Sequence, residues 1–256
     1  MTTIWLEAPP APAFVAPTTQ SDQNERDVET ITSFRRRGFV PRRRSEAVNR
    51  LVNILFALIA LAVLAPLLVL IGLLVGFTSR GPVIYVQTRV GIDRRKARRP
   101  VDLGTDRRVR NVGGMAFHIY KFRSMVANAE RSGAVWASRG DARITRLGRA
   151  LRLSRLDELP QLFNVLRGDM NIVGPRPERP SIFVRLRETI DDYPHRQLGR
   201  PGITGWAQIN HRYDTCVDDV RVKVSYDLEY LRRQSLAEDL RIMAKTIPVM
   251  LLARGT

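Results

Sequence analysis

The chain has one cysteine, Cys216, among 256 residues. A single thiol excludes an intrachain disulfide and a cysteine-rich metal centre, and a reducing compartment is the simple expectation. Histidine is scarce too: only His118, His195 and His211 occur, with no metal-ligand spacing between them. A histidine-rich zinc site is therefore not expected. Acids are outnumbered, 25 against 42 basic residues, which leaves a net charge of +17. That balance calls for an anionic partner: nucleic acid, an acidic membrane surface or a phosphorylated substrate. Of the 42 basic residues 38 are arginine. Genome composition contributes to such a bias, so by itself it is no evidence for phosphate binding. Aromatic residues make up 7% and few interleave with the arginines. A stacking surface for nucleic acid is correspondingly weak.

Charge is missing altogether from "LVNILFALIALAVLAPLLVLIGLLVGF", Leu51 to Phe77. The run exceeds the threshold of about 20 apolar residues for a membrane helix. It starts too late and is too long for a cleavable signal peptide. A buried core helix is the plain alternative. Pro66 sits mid-run, where it removes a backbone hydrogen bond and bends a helix. Arg42 to Arg44 and Arg50 precede the run; Arg80, Arg89, Arg94 and Arg95 follow it. Basic residues tend to stay on the cytoplasmic side. A re-entrant helix hairpin over 50–79, bent at Pro66, satisfies both features. Each arm of about 12–15 residues, at ~1.5 Å per residue, is too short to cross ~30 Å of hydrocarbon. A tilted, kinked single span remains the other option.

The rest divides around that run. Residues 1–49, with "APPAPAFVAPTTQSDQNERD" and arginine triplets at 35–37 and 42–44, read as a disordered basic cytoplasmic tail. Next to a membrane segment, anionic lipid is the expected partner of such triplets. Residues 80–256 read as one cytosolic globular catalytic domain, with a basic insertion loop or short hairpin at 93–115. Val83 to Gln87 and "FHIYKFRSM" have strand character, with Lys121 and Arg123 on one face. Helices are expected near 126–134, on either side of Ser154 to Pro160, and over 181–193, 217–233 and 235–252. The class is α-rich α+β with an N-terminal membrane hairpin.

The chemistry centres on "LDELPQLFNVLRGDMNIVGPRPERP", Leu156 to Pro180. Pro160 suits a first helical turn and Gly168 a C-terminal cap. Asp157 and Glu158 then sit just before a helix start, where negative charge is favoured. Acids in such places are often simple caps. Two adjacent acids with Arg152 and Arg155 upstream allow more. A carboxylate can attack phosphorus, a second can bind Mg²⁺ shared with substrate phosphates, and arginine forks can neutralise those phosphates. Gly174-Pro175-Arg176-Pro177 presents Arg176 on a stiff loop, which lowers the entropy lost on binding an anion. Its plain alternative is an ordinary proline-rich turn. In "RPGITGWAQIN", Arg200 to Asn210, Trp206 has stacking, interfacial or core roles open to it.

The ordered series "RGPVIYVQTRVG", "FHIYKFRSM", "LRLSRLDELPQLFNVLRGDMNIVGPRPE", "RPGITGWAQIN" and "KVSYDLEYL" resembles the bacterial sugar transferases, the monotopic polyprenyl-phosphate phosphoglycosyl transferases. It is similar to the short exopolysaccharide-initiating ExoY type, over about residues 48–252. The resemblance implies a membrane-bound enzyme of the bacterial cytoplasmic membrane, with its catalytic domain facing the cytoplasm. It implies transfer of a sugar 1-phosphate from a UDP-sugar to polyprenyl phosphate, with release of UMP. Asp157 would be the nucleophile and Glu158 the Mg²⁺ ligand. Lys121, Arg123, Arg152, Pro175 and Arg176 would contact substrate. Three positions depart from the family pattern: Ala65 stands where a serine often precedes Pro66, the 93–115 insertion replaces a short turn, and His211 follows Asn210 where glycine is common.

Two other classes compete with this expectation. A membrane-tethered nucleic-acid binder would use the arginines and be indifferent to Asp157, but nucleic acid is not the expected partner. A catalytically silent scaffold would need the hairpin and not the acids. The sugar, the glycan pathway and the oligomeric state, including a homo-oligomer, are left open by the sequence.

Overall fold

The computed structural model describes residues 39–93, 113–126, 129, 141–211 and 216–251. Most of the expected tail, most of the 93–115 insertion and the helix expected near 126–134 lie outside the described residues.

Ser45 begins the longest element. Its Oγ accepts the Val48 N–H and Glu46 occupies the first turn, which suits the positive end of the helix dipole. The helix α1 runs Glu46–Thr78, 33 residues, or about 50 Å. It starts ahead of the expected boundary at residue 50. Pro66 lies inside it without interrupting it, so the expected hairpin of two separate arms is not confirmed. The reason is energetic: one interior proline costs about 3 kcal/mol, and packing on both sides of Pro66 opposes that cost. Near the start of α1, Asn53 accepts the Ile172 N–H at 2.6 Å and Ala57 joins an apolar cluster with Ile119, Leu162 and Met170. Near its end, Ile71 and Val75 join Phe122 and Leu151. Both halves of α1 therefore bear on the same globular unit. Its opposite face leaves Leu55, Ile59, Val63, Val69, Leu73 and Phe77 exposed. Among the described residues, α1 is the one helix long and apolar enough to cross a membrane.

Strand β1, Ile84–Val90, pairs antiparallel with β2, Ala116–Phe122, in a register that sets Tyr85 opposite Lys121. Then come α2, Arg146–Leu153, a 3₁₀ turn at Leu156–Glu158, and α3, Gln161–Arg167. Gly168 closes α3 with φ 90°, the left-handed cap that glycine adopts without steric cost. Strand β3, Asn171–Val173, pairs parallel with β4, Gly202–Thr204. Between them lie α4, Pro180–Thr189, and a 3₁₀ segment, Tyr193–Leu198, where one helix over 181–193 was expected. The chain continues through α5, Trp206–Asn210, α6, Val217–Arg233, and α7, Leu236–Leu251. Val220, Val224, Leu228 and Leu231 of α6 form the main core with Phe183, Tyr193 and Ile242. The described part is α-rich α+β, as the sequence predicts.

Candidate active site

Arg155 is the only non-glycine described residue with positive φ, at φ 54° and ψ 17°. It turns the chain out of α2 and into the 3₁₀ turn that carries the acid pair. Asp157 and Glu158 are 7% and 6% exposed, so both carboxyls are largely withdrawn from water. Their surroundings differ sharply. Lys121 Nζ donates to Glu158 Oε1 at 2.7 Å. Arg176 grips the same carboxylate with both terminal nitrogens, Nη2 to Oε1 at 2.6 Å and Nη1 to Oε2 at 3.1 Å. Among the described residues, no donor is hydrogen-bonded to Asp157.

The electrostatics follow from that asymmetry. Burial pushes the Asp157 carboxyl up to about 6, against the pull of Lys121 and with help from the Glu158 charge. Burial also works against the Glu158 charge, but Arg176 and Lys121 together hold its carboxyl well below the usual range. Burial lowers the Lys121 ammonium, with Glu158 opposing, while Glu158 raises the Arg176 guanidinium. Arg152 makes no direct contact with Asp157; its charge acts on that carboxyl from α2.

Arg176 is held by its own backbone. The Pro175 carbonyl accepts the Gly202 N–H at 3.0 Å, which pins the loop to β4. A Cβ on Gly174 would stand 2.3 Å from the Arg200 carbonyl oxygen, so only glycine permits this approach. Arg89 of β1 binds the far side of the loop through the Pro177 carbonyl and Glu178 Oε1, both at 3.1 Å.

The expected site residues Asp157, Glu158, Lys121 and Arg176 thus converge, with Pro175 in support and Arg152 within electrostatic reach. Arg123, expected among the substrate contacts, does not join them in this structure. Strand β2 ends at Phe122, and beyond it Arg123 turns to the end of α1. There it donates to the carbonyls of Val75, Ser79 and Pro82 and to Ser79 Oγ. Trp206 is no free stacking surface: it is 9% exposed, donates Nε1 to Glu229 at 2.7 Å and lies under Arg233.

Residues 44–253 match the family described as bacterial sugar transferase. The chain belongs to that family. The chain is 40% identical over 208 residues to the Aeromonas hydrophila UDP-N-acetylgalactosamine-undecaprenyl-phosphate N-acetylgalactosaminephosphotransferase, across 81% of this chain and 44% of that relative. It is 36% identical over 223 residues to the Caulobacter vibrioides UDP-glucose:undecaprenyl-phosphate glucose-1-phosphate transferase, across 86% of this chain and 76% of that one. It is 33% identical over 223 residues to the exopolysaccharide production protein ExoY of Sinorhizobium fredii, across 81% of this chain and 87% of that one. The chain thus spans less than half of the Aeromonas relative and most of the other two.

The support behind Arg176 was not among the expectations from sequence. Arg196 Nη2 donates to the Arg176 carbonyl, and Arg196 Nε pairs with Asp227 Oδ2 at 2.6 Å. A signal existed: on α6 the buried run Val220, Val224, Leu231 places Asp227 at helical spacing on an apolar face. A carboxylate there needs a buried counter-charge.

Proposed function

We propose that this protein transfers a sugar 1-phosphate from a UDP-sugar to polyprenyl phosphate through a covalent adduct on Asp157. The observation that carries this is the contrast between neighbouring acids. Glu158 is held by Lys121 and Arg176, whereas Asp157 is buried without a hydrogen-bond donor among the described residues. A carboxylate poorly solvated and unencumbered by donors is a stronger nucleophile. The relatives named above carry UDP-sugar and undecaprenyl-phosphate chemistry in their names.

In the first half-reaction an Asp157 oxygen bonds to the phosphorus that bears the sugar, and the bond from that phosphorus to the UMP oxygen breaks. UMP leaves with the electron pair. In the second, an oxygen of polyprenyl phosphate bonds to the same phosphorus and the Asp157 carboxylate is restored. Arg176, Lys121 and Arg152 set positive charge around the centre, where phosphate charge develops. Glu158 keeps Arg176 and Lys121 in place.

The donor set fits Mg²⁺ only together with substrate oxygens. Among the described residues no group of three or more acids, histidines or cysteines stands together. Glu158 Oε1 already accepts two bonds and Oε2 one, which leaves a lone pair on Oε2. Glu158 and phosphate oxygens would hold the ion, which supplies charge neutralisation on the diphosphate.

Helix α1 supports a one-sided membrane attachment. Its contacts with the globular unit extend from Asn53 to Val75, about 33 Å along the axis. A helix crossing the bilayer would leave one end far from a domain on the other side. An embedded α1 with its exposed apolar face in lipid keeps both ends on the cytoplasmic surface of the membrane, with anionic lipid near Arg42 and Arg43.

The test is UMP release from a panel of UDP-sugars with undecaprenyl phosphate and Mg²⁺, beside Asp157→Asn. Release with one donor, and a mass increase on Asp157 equal to that sugar phosphate, is expected. Turnover retained by Asp157→Asn would overturn the reading.

A further inference from the structure

Arginine recurs at every third position ahead of the acid pair: Arg143, Arg146, Arg149, Arg152 and Arg155. The first and last are occupied. Arg143 pairs with Asp141 at 2.6 Å, and Arg155 forms the left-handed turn. The middle three belong to α2. Arg146 and Arg149 are exposed and Arg152 is half-buried. Among the described residues none of these three makes an ion pair. Side chains three apart on a helix are neighbours, so they form a row about 9 Å long. Its Arg152 end acts on Asp157.

The other face of α2 fixes where this row stands. Leu147 and Leu151 share an apolar cluster with Leu67, Leu68, Ile71 and Val75 of α1. Gly148 brings α2 in tightly: a Cβ there would lie 1.9 Å from the Ser124 carbonyl oxygen. The same stretch of α1 turns Val69, Leu70, Leu73 and Phe77 outward, at 62%, 52%, 53% and 86% exposure. Unpaired cations thus stand on the helix that packs directly against the one carrying the exposed apolar face. Hydrocarbon satisfies the second and lipid phosphate the first.

Resting on the function proposed above, we propose that Arg146 and Arg149 bind the phosphate of the lipid acceptor and deliver it along the row to Arg152 and Asp157. The row leads to the nucleophile, which a patch for bulk anionic lipid does not require. The donor's phosphates have their own cations: Lys121 and Arg176 come from β2 and the proline loop, not from α2. The α2 row stands on the helix packed against α1, the element with the exposed apolar face. Guanidinium groups suit the acceptor because they bind phosphate oxygens in pairs.

The test uses Arg146→Gln/Arg149→Gln in the full chain, in phosphatidylcholine bilayer discs. Three quantities separate the roles: the rate of UMP release with adduct formation before acceptor is added, the KM for undecaprenyl phosphate, and its Kd without donor. The expected result is a rise of about tenfold or more in acceptor KM and Kd, with the adduct rate within about twofold of wild type. Arg146→Lys/Arg149→Lys should recover part of the loss. An unchanged acceptor Kd, or a fall in adduct rate that accounts for all of the lost turnover, would overturn the proposal. So would weaker binding to phosphatidylglycerol vesicles with an unaltered acceptor Kd, because the row would then serve bulk lipid. Absence of any adduct in wild type would defeat the covalent reading instead, and the donor-free Kd would still decide the role of the row.

Discussion

Arg196 Nη2 lies 3.0 Å from the backbone carbonyl oxygen of Arg176. The arginine that grips Glu158 is thus itself gripped by a second one. Arg196 is 2% exposed, and its Nε and Nη1 are spent on Asp227 at 2.6 Å and the Tyr193 hydroxyl at 2.9 Å. Asp227→Ala strands a buried guanidinium, and a loss of about 3–5 kcal/mol is expected. Denaturant unfolding in detergent measures it. Tyr193→Phe removes one hydrogen bond and should cost nearer 1 kcal/mol. Equal costs for the two would contradict a dominant role for the ion pair.

The two acids are shifted in opposite directions. An Asp157 carboxyl raised to about 6 makes its ionised form scarce in acid. Adduct formation should therefore rise through pH 6 and level off above it, with the apparent pKa belonging to the pair. Single-turnover UMP release across pH 5 to 8 would show this. A rate already flat down to pH 5 would contradict it.

Stability separates the same residues. The folded Asp157 carboxyl holds its proton more tightly than the ordinary 3.8. Its ionised form therefore opposes folding above pH 6, and that penalty fades as pH falls toward 3.8. Glu158 is depressed below 4.5, so it stabilises above that pH and the contribution is lost on acidification. At neutral pH Asp157→Asn should unfold at an equal or higher temperature than wild type. Glu158→Gln should unfold lower, because Lys121 and Arg176 lose their counter-charge. Thermal scans in one detergent compare them, and a lower midpoint for Asp157→Asn would refute the assignment.

Arg123 gives a further contrast. Its guanidinium closes the end of α1 through carbonyls. Arg123→Gln should lower stability by about 1–3 kcal/mol while leaving the KM for the UDP-sugar in place. A raised donor KM at unchanged stability would return Arg123 to the phosphate-binding set.

Topology can be read with single cysteines in a Cys216→Ser background. Arg43→Cys and Arg80→Cys flank α1, and both positions are exposed. Both should react with an impermeant reagent only when the cytoplasmic side is open. Labelling of either from the periplasm would mean a spanning helix. Pro66→Ala should shift some molecules toward that orientation if Pro66 helps to keep α1 on one side.

Much of the site was legible because it is local. Asp157 and Glu158 are adjacent, Pro160 and Gly168 mark the ends of α3, and the prolines around Arg176 announce a stiff loop. The uncharged run from Leu51 to Phe77 likewise declared an apolar helix. Tertiary structure alone decided how distant pieces meet. Lys121 and Arg176 reach one carboxylate across 37 and 18 positions of sequence. Two residues past Lys121, Arg123 is turned away because β2 ends at Phe122. Asp227 becomes the anchor of the Arg176 loop only when α6 meets the Tyr193–Leu198 turn. Periodicity and turn chemistry act over a few residues, so sequence alone determined most of the elements and the adjacency of the acid pair. The difference between a pinned Glu158 and an unpinned Asp157 comes from burial and from charges brought in by remote segments, and only the fold supplies those.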